Sequence, residues 1–181
     1  INEGNGFFKD RTSELARDLK NLGMTRKVHS ADFNGDDKTD LAILGDWMSL
    51  NIFWNRGDKF EREEINPSIK GFWSALSSVD YDQDGDLDLV VGGYGLNSKL
   101  TATVDRPISM LINDFDDNND QDHLLLHYIG DKEYLFHTKD ELVSQMPFLK
   151  KKVLSYTQFS EQNWSDLFDE KKIKQAKKLT V

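Results

Sequence analysis

The stretch DYDQDGDLDL, residues 80–89, sets aspartates at 80, 82, 84, 86 and 88, and the apolar run VVGG follows at once. Carboxylates this close repel one another, so a chain that keeps them must wrap them around something positive. The stretch is one of three. HSADFNGDDKTDLAILG (29–45) aligns without gaps with SSVDYDQDGDLDLVVGG (77–93), and LINDFDDNNDQDHLLLH (111–127) is a third copy. Counted from its first aspartate, each copy carries oxygen-bearing side chains at positions one, three, five and nine. They are Asp32, Asn34, Asp36 and Asp40; Asp80, Asp82, Asp84 and Asp88; and Asp114, Asp116, Asn118 and Asp122. An aromatic stands at position two each time: Phe33, Tyr81 and Phe115.

A second element repeats between the acidic copies. NEGNGF (2–7) matches NRGDKF (55–60), aligning Asn2 with Asn55, Gly4 with Gly57 and Phe7 with Phe60. The acidic copies start 48 and then 34 residues apart, with the runs LAIL, LNIFWN, KFEREEI, LDLVVGG and ISMLIN among them. Such runs, punctuated by Gly, Asn and Asp, predict strands joined by tight turns. A repeat of this length with about four short strands predicts a propeller blade. The chain enters in mid-repeat, and the shorter second interval predicts a blade without its last hairpin. The expected fold is mainly β, a partial β-propeller of about two to three blades over residues 1–137.

After His137 the pattern changes. Thr138 with Glu141, and Ser155 with Gln158, carry helix-start signatures, and Pro147 should end the first helix. DEKKIKQAKKL (169–179) reads as a helix with acids first and lysines last, as the macrodipole favours. Residues 138–181 are therefore expected to form a small α-helical extension. The 181-residue chain has a formal net charge of −9, which argues against nucleic acid as a partner. From Lys139 onward nine lysines face six acids, so the acidity belongs to the earlier part. There is no cysteine to staple or to bind metal as thiolate, and no apolar run approaches a membrane span. With neither an initiator Met nor a leader, the sequence reads as an internal piece of a longer chain.

Oxygen ligands at alternate positions of a turning loop suit a hard cation. Ca2+ takes six to eight oxygens at about 2.3–2.6 Å, whereas Mg2+ keeps several waters and few carboxylates. A backbone carbonyl at position seven, from Lys38, Asp86 or Asp120, completes each set, giving up to three Ca2+ sites. An EF-hand is excluded at position twelve, where Ile43, Val91 and Leu125 stand in β-like runs instead of a glutamate. The second loop has four ligand carboxylates and Gly85 at position six, where a sharp turn calls for positive φ. The first has Asp37 there and the third Asn119, so the loop beginning at Asp80 is expected to bind most tightly.

DYDQDGDLDL resembles the FG-GAP, or VCBS, calcium loop (D-x-[DN]-x-[DN]-G-x-x-D-L) of integrin α-subunit propellers and secreted bacterial proteins. DFNGDDKTDL departs from it at Asp37, and DFDDNNDQDH at Asn119 and His123. GYGLNSKL (93–100) and KEYLFHTKDELVSQMPFLKKK (132–152) also resemble the large VCBS-repeat proteins of bacterial cell surfaces. The resemblance implies an exported multidomain protein, extracellular or at the cell surface, of which this is an internal piece. Together with the loops it leads to the expectation of a non-catalytic, calcium-binding segment. It would bind an unidentified protein or glycan, or serve as scaffold, with self-association through open sheet edges.

Other features carry less. RGD (56–58) falls on the repeated turn, and His123 and His127 share a strand face without a third ligand. Trp47, Trp54 and Trp73 read as core aromatics before a sugar platform. GGYGLNSK lacks the Gly-Lys-Ser/Thr of a phosphate loop. The alternative to a binding module is part of a polysaccharide-active propeller enzyme, whose carboxylate pair would be hidden among the acids.

Overall fold

Short β-branched and aromatic runs separated by turn residues give this chain its strands, and the turns give their order. The computed structural model describes residues 1–181, Leu96 by its backbone alone. The architecture is mainly β with a few short helices, and its sheets stay open, as in a partial propeller. The chain falls into two compact units, Ile1–Gly95 and Leu96–Val181.

The first unit opens with the hairpin β1 (Asn2–Gly4) and β2 (Phe7–Phe8), followed by a helical turn, α1 (Thr12–Leu15). Four strands then run as an antiparallel meander: β3 (Met24–Ala31), β4 (Asp40–Met48), β5 (Leu50–Asn55) and β6 (Phe60–Ile65). This is one full blade. Its inner strand β4 is buried almost throughout, hence the unbroken LAIL, while outer β6 is acidic and exposed, which blunts the edge. The hairpin β7 (Gly71–Val79) and β8 (Asp88–Gly93) joins the same sheet, with Phe72 and Gly71 opposite Asp46 and Met48 of β4. A bulge marks that junction, and Trp47 sits in it at φ +61°. β8 leads into a 3-10 turn at Gly95–Asn97, within GGYGLNSK. Among the described residues no third strand follows before Ser109, so the second blade has its first hairpin alone.

The second unit contains β9 (Ser109–Asn113), β10 (Asp122–Ile129) and β11 (Lys132–Leu135), again antiparallel. In β10 the side chains alternate, Leu124 and Leu126 inward and His123 outward. Three short helices follow: α2 (Lys139–Gln145), α3 (Tyr156–Glu161) and α4 (Glu170–Gln175). Thr138 and Glu141 form the expected capping box on α2, and Pro147 begins a 3-10 turn that ends it. Ser155 accepts from the N–H of Gln158 at the start of α3. Leu111, Leu124, Leu126 and Leu135 from the sheet and Phe115 from the third loop share one core with Leu142, Met146, Leu149, Val153, Leu167 and Phe168.

Two expectations need adjusting. The unit boundary falls at Gly95/Leu96 instead of at 137/138, because the third loop's strands bury their apolar face against the helical segment. The expected helix over 169–179 stops at Gln175, and β12 (Lys177–Thr180) pairs with β9 instead. The inner edge of β9 would otherwise leave buried backbone groups unpaired, and that requirement overrides the modest helix propensity of lysine. Leu124→Ala and Leu149→Ala should each lower stability by about 2–5 kcal/mol. Urea unfolding of both variants checks this, and losses well under about 1 kcal/mol would mean that neither side chain holds the core together.

Candidate metal centre

The three acidic loops occupy one topological position. Each joins the first two strands of a hairpin: β3 to β4, β7 to β8 and β9 to β10. The strands converge as an antiparallel pair, and the eight residues between must turn without a regular ladder. They do so with two left-handed residues in every loop. Position four is Gly35 (φ +70°), Gln83 (+63°) or Asp117 (+63°), and position six is Asp37 (+61°), Gly85 (+98°) or Asn119 (+70°). The left-handed residue at position six follows the sequence reading. The one at position four does not, for only Gly35 hints at it.

Three hydrogen bonds recur in all three loops. The N–H at position two donates to the position-nine carboxylate: Phe33 to Asp40 at 3.1 Å, Tyr81 to Asp88 at 2.9 Å and Phe115 to Asp122 at 2.9 Å. The N–H at position six donates to position one: Asp37 to Asp32 at 2.7 Å, Gly85 to Asp80 at 3.2 Å and Asn119 to Asp114 at 2.9 Å. The N–H at position seven donates back to position five: Lys38 to Asp36 at 3.0 Å, Asp86 to Asp84 at 3.1 Å and Asp120 to Asn118 at 2.6 Å. These bonds draw side chains at alternate positions toward the inside of the turn.

In two loops the acids at positions one, three and nine come together. Asp80, Asp82 and Asp88 each offer an oxygen within 4.8 Å of the others, and so do Asp114, Asp116 and Asp122. Ligands about 2.3–2.6 Å from a common ion lie at most about 5 Å apart, so this spacing suits Ca2+. In the first loop, position three is Asn34, whose amide oxygen accepts from the N–H of Asp36 at 3.0 Å.

The loops differ in how the position-one carboxylate is balanced. Asp32 accepts from the N–H groups of Asn34, Gly35, Asp36 and Asp37. Desolvation is the largest single influence on it and pushes its pKa up, but these donors together hold it below the ordinary aspartate value. Asp114 behaves likewise: desolvation raises it, while the N–H groups of Asn119, Asn118 and Asp117 and the charge of Lys172 bring it below its ordinary value. The first loop has a cation of its own, Lys38, whose Nζ is 3.1 Å from Asp36. Among the described residues, no lysine or arginine pairs with an acid of the second loop. There Asp80 Oδ1 is buried with no hydrogen-bond partner, and Asp86 has a raised pKa, chiefly from the charge of Asp84 and its hydrogen bond. A buried carboxylate oxygen without a protein donor leaves room for a water or an ion. The residues of the second loop thus fit a bound Ca2+.

Position nine also ties two of the loops to their surroundings. Asp40 Oδ1 accepts from the N–H of Asn55 at the end of β5 (2.7 Å), and Asp122 Oδ1 from Gln145 Nε2 on α2 (3.0 Å). Neither partner was foreseen, since nothing in the spacing of Asn55 or Gln145 marks it. RGD lies at the tip of the β5–β6 hairpin, where the N–H of Gly57 donates to Asn55 at 2.9 Å, as that of Gly4 does to Asn2 at 2.9 Å. Trp47, Trp54 and Trp73 are half-buried, outside the fully buried core. Trp73 Nε1 donates to the Met48 carbonyl at 2.9 Å, and Trp54 Nε1 to Glu63 at 2.7 Å. His127 packs edge-on against Phe136 at 5.4 Å, and burial pushes its pKa down.

Residues 32–91 match the FG-GAP-like repeat family, a stretch that runs from the first acidic loop through the full blade to β8. That match supports the FG-GAP repeat family, a β-propeller type of repeat. Comparison with curated proteins finds no match, and neither does comparison with solved structures.

Two predictions follow from the loop geometry. Gln83 adopts a backbone that suits glycine, so Gln83→Gly should stabilise the protein by about 1 kcal/mol, and Gly35→Ala should destabilise it by about the same. A Cβ at Gly35 meets nothing within 4 Å, so that loss would be backbone strain alone; chemical denaturation giving the opposite signs would refute the assignment. The second concerns pH. Ionising Asp86 penalises the folded state, because its folded pKa lies above its unfolded one. The penalty is absent while the group is protonated and complete once pH has risen through the folded pKa. In metal-free protein, Asp86→Asn should therefore raise the melting midpoint at neutral pH, and the gain should vanish below the unfolded pKa. A gain that does not change with pH would count against mutual repulsion.

Proposed function

We propose that this chain is a calcium-stabilised, non-catalytic segment of FG-GAP-like blades from an exported bacterial surface protein, used for binding or scaffolding. The observation that carries the reading is the second loop. Three converging carboxylates, a buried oxygen of Asp80 without a donor and, among the described residues, no paired lysine or arginine favour a divalent cation as the occupant. Asp80, Asp82, Asp84 and Asp88 would supply side-chain oxygens there, with the carbonyl of Asp86. Asp32, Asn34, Asp36 and Asp40 with the carbonyl of Lys38 would serve the first loop. Asp114, Asp116, Asn118 and Asp122 with that of Asp120 would serve the third.

The role of the metal is structural. It would tie each strand-connecting loop and relieve the repulsion that raises the pKa of Asp86. In the proposed extracellular setting weak sites would suffice, because calcium modules there work at dissociation constants of about 10⁻⁴–10⁻³ M. The non-catalytic part is supported by the FG-GAP-like match, since such repeats are typically non-catalytic. A polysaccharide-cleaving site would need two acids across one cleft. A cleft of about 350 Å³ lined by Tyr134, Phe159 and Trp164 has no acid in its wall, and one of about 270 Å³ beside Thr12 has Asp10 alone.

Thermal melting in EDTA and again in millimolar Ca2+ tests the proposal. At calcium a hundredfold above the dissociation constant, each occupied site adds about 2.7 kcal/mol. Asp84→Asn should weaken the tightest site seen by calorimetry. An unchanged midpoint would leave the loops as acidic turns, and an unaffected tightest site would refute the ranking.

A further inference from the structure

The third loop differs from the others in being served by a cation from far along the chain. Lys172 lies on α4, and its Nζ stands 2.7 Å from Asp117 Oδ1, at position four of the loop. The backbone of the same residue is held too, because Asn113 Nδ2, at the end of β9, donates to the Lys172 carbonyl at 2.8 Å. The ammonium is buried and makes no hydrogen bond, so its contact with Asp117 is an ion pair off the hydrogen-bond direction. Its charge reaches the cluster itself, as one of the influences that lower the pKa of Asp114.

Burying an ammonium without hydrogen bonds is costly, and nearby negative charge must compensate it. The carboxylates of the third loop supply that charge. Asp114, Asp116 and Asp122 bring oxygens within 4.8 Å of one another, and such a group in turn lacks enough positive charge when no metal is bound. Each side thus resolves the other's deficit. Lys38 plays a similar but weaker part in the first loop, from an exposed position.

From this geometry we infer that Lys172 is a built-in counter-ion of the third loop, which stabilises it without metal and lowers its affinity for a divalent cation. The inference rests on the calcium reading above. It also couples the loop to the C-terminal segment, because α4 carries the ammonium and runs directly into β12 on the edge of β9. A calcium ion in the third loop would meet a positive charge that the second loop lacks. Removing one unit charge a few ångströms beyond a divalent ion's ligands changes affinity by roughly five- to tenfold, even at water-like dielectric.

The test is a calcium titration of the whole chain, followed by the backbone amide signals of residues 32–40, 80–88 and 114–122. Lys172→Met should tighten the third loop by roughly five- to tenfold and leave the other two unchanged, whereas Lys172→Arg, which keeps the charge, should behave as the parent. Linkage adds a second readout: Lys172→Met should be less stable than the parent in metal-free solution, and the gap should narrow in saturating calcium. An equal loss under both conditions, or no change at the third loop, would make Lys172 a merely structural contact and overturn the inference. Should Lys172→Met not fold, Asp117→Asn at an exposed position serves instead. It frees the ammonium to engage Asp114 and should weaken the third loop; unchanged or tighter binding there would be equally decisive against it. If calcium moves none of the three sets of signals, it is the calcium reading that fails. If it moves them without regard to Lys172, this inference fails alone.

Discussion

Each of the three hairpins turns on one aspartate whose charge must be balanced inside a tight loop. The position-one carboxylate faces the concave side of the turn, where backbone N–H groups are the nearest donors. Asp32 takes four of them and needs little else. Asp114 takes fewer and borrows the charge of Lys172. Asp80 accepts from Gly85 through one oxygen and leaves the other buried and unpartnered. The same backbone path thus supports three charge states of one motif. The differences come from how many backbone N–H groups reach that carboxylate and from a lysine outside the loop. Net charge at the loop decides how much work remains for a cation, because an isolated buried carboxylate is far costlier than a paired one.

The loop is not an appendage to the sheet. Position nine begins the second strand of each hairpin, and its carboxylate closes the turn onto position two in every copy. In the first loop the other oxygen of Asp40 holds the end of β5, so one buried side chain ties loop, second strand and third strand together. The third loop has no equivalent strand end at this point, and Gln145 from α2 fills the role. A helix residue thus replaces a strand residue at one oxygen without changing the loop. This substitution explains how the segment after His137 can cover a blade that lacks its outer strand.

Much of this was legible in the sequence because the loops repeat. Spacing alone located the turns, the left-handed position six and the acids that converge in the second and third copies. The strands LAIL, LNIFWN and ISMLIN were legible as β-branched and aromatic runs, and Thr138–Glu141 as a helix start. What escaped was whatever depends on a distant partner. Gln83 and Asp117 give no sign of positive φ, since the turn imposes it on them. Lys177–Thr180 reads as the tail of a lysine-rich helix until the open edge of β9 is seen. The residue that carries Lys172 to Asp117 is set by how α4 packs on the core, and no local pattern encodes that.

The uneven charge of the chain now has a physical reading. Acids dominate up to Thr138 and lysines after it. A solvated basic tail would account for the lysines as well, but their placement is not uniform. Lys171 and Lys174 are at the surface, whereas Lys172 is turned inward beside the third loop and Lys152 Nζ donates to the Leu167 carbonyl. Of the basic residues in this segment, one is therefore spent on an acidic loop and another on closing a helical turn. The second loop has no such neighbour in its own unit, and its five aspartates keep their repulsion, visible in the raised pKa of Asp86. A chain that compensates its third loop internally and leaves its second uncompensated has graded its loops by the charge each still lacks. That ordering follows from where the lysines fold, so it can be changed by moving a single positive charge while every ligand stays in place.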